Sequence, residues 1–438
     1  MINKSTSSAK VKTKTDTERE HSLIRLAAIG AIGNVLEWYD FAIYGFFATI
    51  LAANYFPSDN PTVSLVASFG AFAAGFLMRP VGGALFGYIG DTIARNRALF
   101  LSILMMAVPT GLLALLPTYQ VWGVWAAILV VVLRMAQGLA VGGEYTGSIV
   151  YLAEHAPPGK RAFMTAFPMA GATLGILLAS GVGAFLSAIL TPEQLTDWGW
   201  RVAFGVGILV SAIGFIIRRG LPETEIEAPE TAPLIAACRH HWRGMVQAFG
   251  LVTGAAAGFY LGFIFIVTWL VQNVHESRAT ALEINTLALA VMLVTIPFWA
   301  YISDQIGRRR MLLIGYSGLV VTAYPLIWLM YHPDPLLITI GQMGFAIVLP
   351  MVMASLPATM VELFSRTVRS TAVGLSYNLT FAIFGGTAPM VAVWINANSH
   401  NPLGFAWYLV GLCGVSLLFA MSVASKHNLP LTDKHSEA

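Results

Sequence analysis

Apolar runs of roughly 20 residues or more, each long enough to cross a hydrocarbon core of about 30 Å, recur along nearly the whole chain. Short charged or Pro/Gly-rich links separate them. With 57% apolar and 11% charged side chains in 438 residues, there is too little polar surface to cover a soluble domain of this size. The chain therefore reads as an all-α membrane protein. Weighing apolar runs against breakers places spans near 23–51, 62–87, 98–117, 121–152, 162–188 and 199–217. The Pro/Glu-rich link LPETEIEAPETAP follows, and then six more spans near 243–272, 282–302, 311–331, 336–361, 369–396 and 403–424, twelve transmembrane helices in all.

The even count puts both termini on one side, and the basic residues say which. Twenty-one of the 25 Lys and Arg fall in the two tails, the central link and alternate loops, whereas the opposite edges hold only Arg201 and Arg278. The positive-inside bias places the termini and the link in the cytoplasm. The formal net charge of +3 thus reflects topology, and no nucleic-acid partner is expected. The first 22 residues are polar, with no apolar core and no small-residue cleavage site, so they read as a disordered tail and not a signal peptide. Cys238 and Cys413 have no metal-ligand company and read as structural bystanders.

The chain is also a repeat. Gly87-Tyr-Ile-Gly-Asp91-Thr-Ile-Ala-Arg95 follows the second span, and Ala300-Tyr-Ile-Ser-Asp304-Gln-Ile-Gly-Arg308-Arg309-Arg310 follows the eighth. After spans four and ten, Glu154 precedes Arg161 by the same interval that separates Glu362 from Arg369. Both echoes argue for duplicated halves, the architecture in which a midplane site forms between two bundles. The expected division is a tail at 1–22, a six-helix bundle at 23–219, a linker at 220–242, a second bundle at 243–424 and a tail at 425–438.

These loops resemble the G-x-x-x-D-R/K-x-G-R-R signature of the major facilitator superfamily. Gly33-Asn-Val-Leu-Glu37-Trp-Tyr-Asp40-Phe, Met78-Arg79-Pro-Val-Gly, Arg134-Met-Ala-Gln137-Gly-Leu-Ala-Val-Gly-Gly-Glu144-Tyr145-Thr-Gly, Asp197-Trp-Gly-Trp-Arg201 and Pro222-Glu-Thr resemble, more narrowly, its metabolite:proton symporter family. The resemblance implies proton-coupled symport of a small solute by alternating access in a multi-pass inner-membrane protein, with carriers of proline and betaine, α-ketoglutarate, citrate and shikimate as relatives. It departs from the pattern in the first loop, where Thr92, Ala94 and Asn96 replace a basic residue, Gly and a second basic residue, so weaker gate contacts are expected there. The chain also stops about 14 residues after its last span, without the coiled-coil extension of the osmosensing members, which argues against an osmosensor.

Ionisable groups inside a span cost several kcal/mol unless paired or hydrated, so each is a functional candidate. Glu37 and Asp40 in span one, Arg79 in span two, and Arg134 and Glu144 in span four stand out. Glu37 and Asp40, spaced i, i+3, project from one helical face toward a shared aqueous cavity. Three carboxylates against two guanidiniums leave one excess negative charge, which favours binding of a proton. Asp40, Glu37, Arg134 and Glu144 are thus the expected proton-coupling set; by resemblance Arg134, in its R-x-x-Q-G motif, works with a span-one acid, Asp40 first and Glu37 second. Static ion pairing between helices is the plainer reading of the same residues.

The C-terminal half offers no embedded charge, only aromatic and amide groups. Arg79, Gln137, Tyr145, Tyr260, Tyr377 and Asn378 make up the expected substrate wall, with Tyr260 and Trp269 able to hold a quaternary ammonium by cation–π contact. Asp91 beside Arg95, Asp304 beside Arg308, and Glu154 and Glu362 near Arg161 and Arg369 are the expected gate latches. Two embedded arginines suit an organic anion, and three acids with aromatics suit a zwitterion; a carboxylate-bearing solute covers both. No cofactor or metal is expected beyond the coupling proton, and the partners are the solute, protons and lipid around a monomer. A facilitator or antiporter of the same fold is the first alternative. A sensor would need a cytoplasmic output element, and an enzyme would need a motif such as H-E-x-x-H or G-x-S-x-G inside a span, which the sequence lacks.

Overall fold

In a computed structural model the described residues, 31, 34–35, 37–92, 95–218 and 238–424, are helical almost throughout, with no strand among them. Nine of their helices are long and apolar enough to cross a membrane: Pro61–Leu85, Val124–His155, Arg161–Ile189, Trp242–Val274, Arg278–Ile306, Arg308–Met330, Pro335–Glu362, Arg369–Ser399 and Gly404–Met421. They stand at the places expected for spans two, four, five and seven to twelve. Helix at 37–55, Arg95–Leu115 and Trp200–Arg218 fills the places of spans one, three and six. The expected start of span one, both tails and most of the linker lie outside the described residues.

Local chemistry sets several helix starts. Asn60, Ser277 and Asp334 each accept a backbone N–H in the following turn, from Thr62 at 2.9 Å, Thr280 at 3.0 Å and Leu336 at 2.9 Å. Such caps satisfy amides that a helix leaves unpaired. The Ser277 cap explains why span eight begins at Arg278, four residues before the expected position. Between spans eight and nine the turn is a single residue, Gly307, whose φ of 97° a side chain would resist.

The helices form two bundles. Spans two, three, four and six pack together, as do spans seven, eight, nine, ten and twelve, and the bundles meet where span five lies along span eight and span two against span eleven. Span seven is the central rod, its most apolar stretch wholly inside the protein, whereas spans nine and twelve turn Val321, Trp328, Trp407 and Leu418 outward as a lipid-facing belt. Spans two and four touch backbone to backbone: a Cβ on Gly138 would lie 1.8 Å from the Gly75 carbonyl oxygen. Small residues permit that approach in lipid, where dispersion contacts hold helices together. Gly138→Leu is therefore expected to cut the yield of monodisperse protein at least about tenfold, measured by size-exclusion chromatography after membrane extraction.

Candidate functional site

The polar residues of spans one to four separate into two buried centres. In the first, Arg134 donates through Nη1 to Gln137 Oε1 at 2.7 Å, Gln137 Nε2 donates to Thr110 Oγ1 at 2.8 Å, and Thr110 Oγ1 donates to Asp40 Oδ2 at 2.7 Å. All four side chains are fully buried. Arg134 and Asp40 do belong to one network, but no carboxylate among the described residues lies within ion-pair distance of Arg134. The rings of Phe41 and Tyr44 lie against it instead, each 4.5 Å from its guanidinium carbon.

Gln137, expected in the substrate wall, has both ends of its amide engaged, by Arg134 and by Thr110. One expectation changes here. Asp40 does not face an aqueous cavity; it points into spans three and six, with Gly207 against its second oxygen. The reason is geometric: three-residue spacing puts Glu37 and Asp40 near one stripe of the helix, but neighbouring rods then bury that stripe. Glu37 is also buried.

The second centre is Arg79, 1% exposed just after the break in the span-two helix at Met78. Its guanidinium carbon lies 5.4 Å from the Trp38 ring, 5.3 Å from Phe76, 5.9 Å from Tyr377 and 5.7 Å from Phe381. Its Nε and Nη2 donors find no acceptor. The rings continue across the bundle interface: Trp38 stacks on Tyr260 at 6.5 Å, and Tyr145 on Tyr377 at 4.8 Å. Spans seven and eleven each carry a π-helical turn at this level, Tyr260–Phe265 and Phe381–Gly385, a local unwinding frequent at functional sites.

Beside these rings a residual cavity of about 10 Å³, lined by Tyr145, Met169, Val252, Met353, Tyr377 and Phe381 among others, has room for about one water. Span four breaks at Gly142-Gly143, and the Gly142 carbonyl accepts from Asn378 Nδ2 of span eleven. Glu144 opens the second segment next to Tyr145, half-buried. Trp269 takes no part: its Nε1 donates to the Pro402 carbonyl at 2.8 Å and its ring packs on Phe405.

At the face rich in Lys and Arg the bundles are tied by exchanged partners. Arg161 pairs with Glu362 at 2.6 Å and Arg369 with Glu154 at 2.6 Å, each bridge joining one half to the other. The repeat suggested proximity within each half; the packing of the halves brings each acid opposite the other half's arginine instead. Asp304 pairs with Arg308 at 2.8 Å and also accepts the backbone N–H groups of Ala162 and Phe163 at 3.0 and 2.9 Å. It thus caps span five of the other bundle at its positive end. The side chains of Asp91 and Arg95 lie outside the described residues.

Near the opposite face Arg278 donates to the Phe46 carbonyl and to Thr49, while Ser180 of span five is joined to Asn285, Thr286 and the Leu282 carbonyl of span eight. Side-chain ties between the halves are thus present near both faces. The sequence reading missed Thr110, Trp38, Phe76, Phe381 and this second seal; the aromatics recur at three- and four-residue spacing around the embedded charges, which was the available signal.

Residues 26–226 match the family described as Sugar (and other) transporter, and residues 248–436 match the Major Facilitator Superfamily. The proline/betaine transporter of Escherichia coli K12 is 31% identical over 442 residues, covering 96% of this chain and 88% of that one. The chain belongs to the major facilitator superfamily, and within it to the metabolite:proton symporter family of the proline/betaine transporters. The glycine betaine/proline/ectoine/pipecolic acid transporter of Dickeya dadantii is likewise 31% identical, over 92% of this chain and 83% of its own. The proton:xylose symporter XylE, bound to a bromo-deoxyglucose, shares the fold with a TM-score of 0.76 at 15% identity, covering 94% and 98% of the two chains. Membership makes this chain a multi-pass membrane transporter and not an enzyme.

The crossed ion pairs Arg161–Glu362 and Arg369–Glu154 join the two halves of this major facilitator at the basic face. Neutralising Glu154 and Glu362 together by Glu→Gln is expected to open the basic face by about 1–2 kcal/mol, a factor of roughly 5–30 in population. The check is the maleimide labelling rate of a Met353→Cys reporter in a Cys238→Ser background.

Proposed function

We propose that the chain is a secondary active transporter that carries a small carboxylate-bearing metabolite, a zwitterion such as proline or betaine, together with protons across the inner membrane. Arg79 carries the reading. A buried guanidinium with two unused donors, set among rings from both bundles, can grip a carboxylate through a charge-assisted fork, while the rings accept a quaternary or secondary ammonium. Both relatives are named for solutes of that chemistry.

The two arginines divide the work. Arg79, with Trp38, Tyr145, Tyr260 and Tyr377, takes the solute; Asp40 and Arg134 handle the proton, with Glu37 and Glu144 as the other acids near the path. Arginine stays charged and so cannot carry the proton itself, which leaves the carboxyl groups to do so. The proton is the only coupling ion, and no other cofactor is needed. The basic face lies in the cytoplasm with both termini, and a monomer is the working unit. Glu154, Arg161, Asp304, Arg308, Glu362 and Arg369 latch that face when the site opens outward. Asp91 and Arg95, in the degenerate loop, are the remaining gating candidates.

The decisive assay is solute-driven proton movement in proteoliposomes with a pH dye, challenged in turn with betaine, proline, citrate, α-ketoglutarate and shikimate. Alkalinisation outside with betaine or proline is the expected result; a response only to citrate, α-ketoglutarate or shikimate would reassign the solute to an organic acid, and silence with all five despite binding would point to a facilitator or sensor. Arg79→Gln should weaken betaine and proline binding about tenfold to a hundredfold, matching a charged hydrogen bond of about 1.5–3 kcal/mol. Trp38→Ala should weaken betaine more than proline by roughly threefold, the scale of one cation–π contact, in the same equilibrium binding assay.

A further inference from the structure

Thr110 sits in span three directly after Pro109. Its hydroxyl has three polar neighbours: Asp40 Oδ2 at 2.7 Å, Gln137 Nε2 at 2.8 Å and the Met106 carbonyl oxygen at 2.8 Å. Arginine has no acceptor, so Arg134 Nη1, 2.7 Å from Gln137 Oε1, decides which way the Gln137 amide faces. Gln137 Nε2 must then point at Thr110, and it can only donate. The Thr110 hydroxyl proton is left with two acceptors, Asp40 and the Met106 carbonyl.

Each protonation state of Asp40 selects one of them. An ionised Asp40 takes the Thr110 proton in a charge-assisted hydrogen bond. A protonated Asp40 becomes a donor; Thr110 Oγ1 then accepts from it and from Gln137, its full accepting capacity, and turns its own proton to Met106. Both states are satisfied by rotating one hydroxyl, with no heavy atom displaced. The proton that Asp40 gains comes from water and returns to water, and no bond of Thr110 breaks.

We propose that Thr110 is a positioning residue for proton coupling, whose hydroxyl turns between Asp40 and the Met106 carbonyl as Asp40 gains or loses a proton and passes that state through Gln137 to Arg134. The proposal rests on the symport reading above. When Thr110 donates to Asp40, its oxygen becomes a better acceptor for Gln137, which in turn strengthens the grip of Gln137 Oε1 on Arg134, since linked hydrogen bonds polarise one another. The charged or titratable groups that face Asp40 are Arg134 from span four and Tyr39 from its own helix, with Glu37 one turn before it; span three presents Thr110. Span six presents Gly207, where a Cβ would stand 2.4 Å from Asp40 Oδ1, so the sixth span offers that oxygen space and no donor.

The test compares Thr110→Val, which keeps the shape and removes the hydroxyl, with Thr110→Ser, which keeps the hydroxyl. Three readouts are taken in proteoliposomes with betaine and proline as probes: counterflow, uptake driven by a pH gradient, and the infrared carbonyl band of Asp40, identified by its loss in Asp40→Asn. T110V is expected to lose driven uptake at least tenfold more than counterflow and to move the pH midpoint of the Asp40 band by a unit or more, while T110S follows the unsubstituted protein. A T110V protein with an unmoved midpoint, whether its two transport modes are intact or fall together, would overturn the proposal. If T110V is not recovered folded, T110A carries the same three readouts. Absence of driven uptake in the unsubstituted protein would sink the symport reading instead, and the infrared midpoint then decides the part of the hydroxyl by itself.

Discussion

Burying a guanidinium in an apolar bundle costs several kcal/mol unless something replaces its water, and this chain does so twice within its first four spans. Rings supply much of the replacement. Trp38, Phe41 and Tyr44 recur every three residues on span one, and Phe69, Phe72 and Phe76 recur at three and four on span two, so each helix presents an aromatic stripe. Phe41 lies 4.8 Å from Phe76, and Phe72 5.0 Å from it, which makes a continuous wall between the two arginines. Arg134 leans on one side of the wall through Phe41 and Phe72, and Arg79 on the other through Phe76. The wall keeps the charges apart and packs spans one and two with the same side chains, so cation and fold depend on one set of contacts.

The fold was largely legible because its signals are long-range averages. Apolar runs, basic loops and the repeat each sum over many residues, and helices stand at every expected place with only local slips such as the Ser277 cap. The sites were legible as residue types and much less as partners. Asp40, Arg134 and Arg79 stood out because lipid makes any charge conspicuous. Thr110 did not, since a threonine in a membrane helix ordinarily bonds its own preceding turn, as Thr173 does with Met169 and Thr322 with Gly318. Only the third dimension shows that Thr110 has a second acceptor. Gln137 fell to the same gap, because its spacing from Arg134 gave the motif but not the direction in which its amide is used.

The crossed latch shows why pairs cannot be read off a repeat. Glu154 and Arg161 flank one loop, as Glu362 and Arg369 flank its copy, and proximity in sequence suggests pairing within each loop. Had they paired so, each ion pair would stabilise its own half and be indifferent to how the halves meet. Exchanged, each bridge exists only while the halves touch at the basic face. A contact that reports the relation between two rigid bodies can bias their equilibrium, whereas a contact inside one body cannot.

The two seals differ in kind, and the difference bears on how the transporter turns over. At the basic face the ties are ionic: Glu154 and Glu362 are 28% and 23% exposed, so each bridge contributes about 0–1 kcal/mol against water. At the opposite face they are neutral hydrogen bonds inside the interface, Ser180 to Asn285 and Thr286, apart from the single cation Arg278. Separating spans five and eight there would strand the buried Ser180 and Asn285, at about 1–3 kcal/mol for each group that water fails to reach. Opening at that face must therefore admit water as it separates the helices, while the basic face releases charges that water solvates readily. In the arrangement seen here a cavity with room for about one water lies beside the rings, and both sets of ties are made. A solute that prises the rings away from Arg79 would loosen the shared contacts of spans one, two, seven and eleven. Spans two and eleven meet across the bundle interface, so a change at the ring cluster would act on the contact between the halves, and which seal then gives way would follow from their small differences in strength.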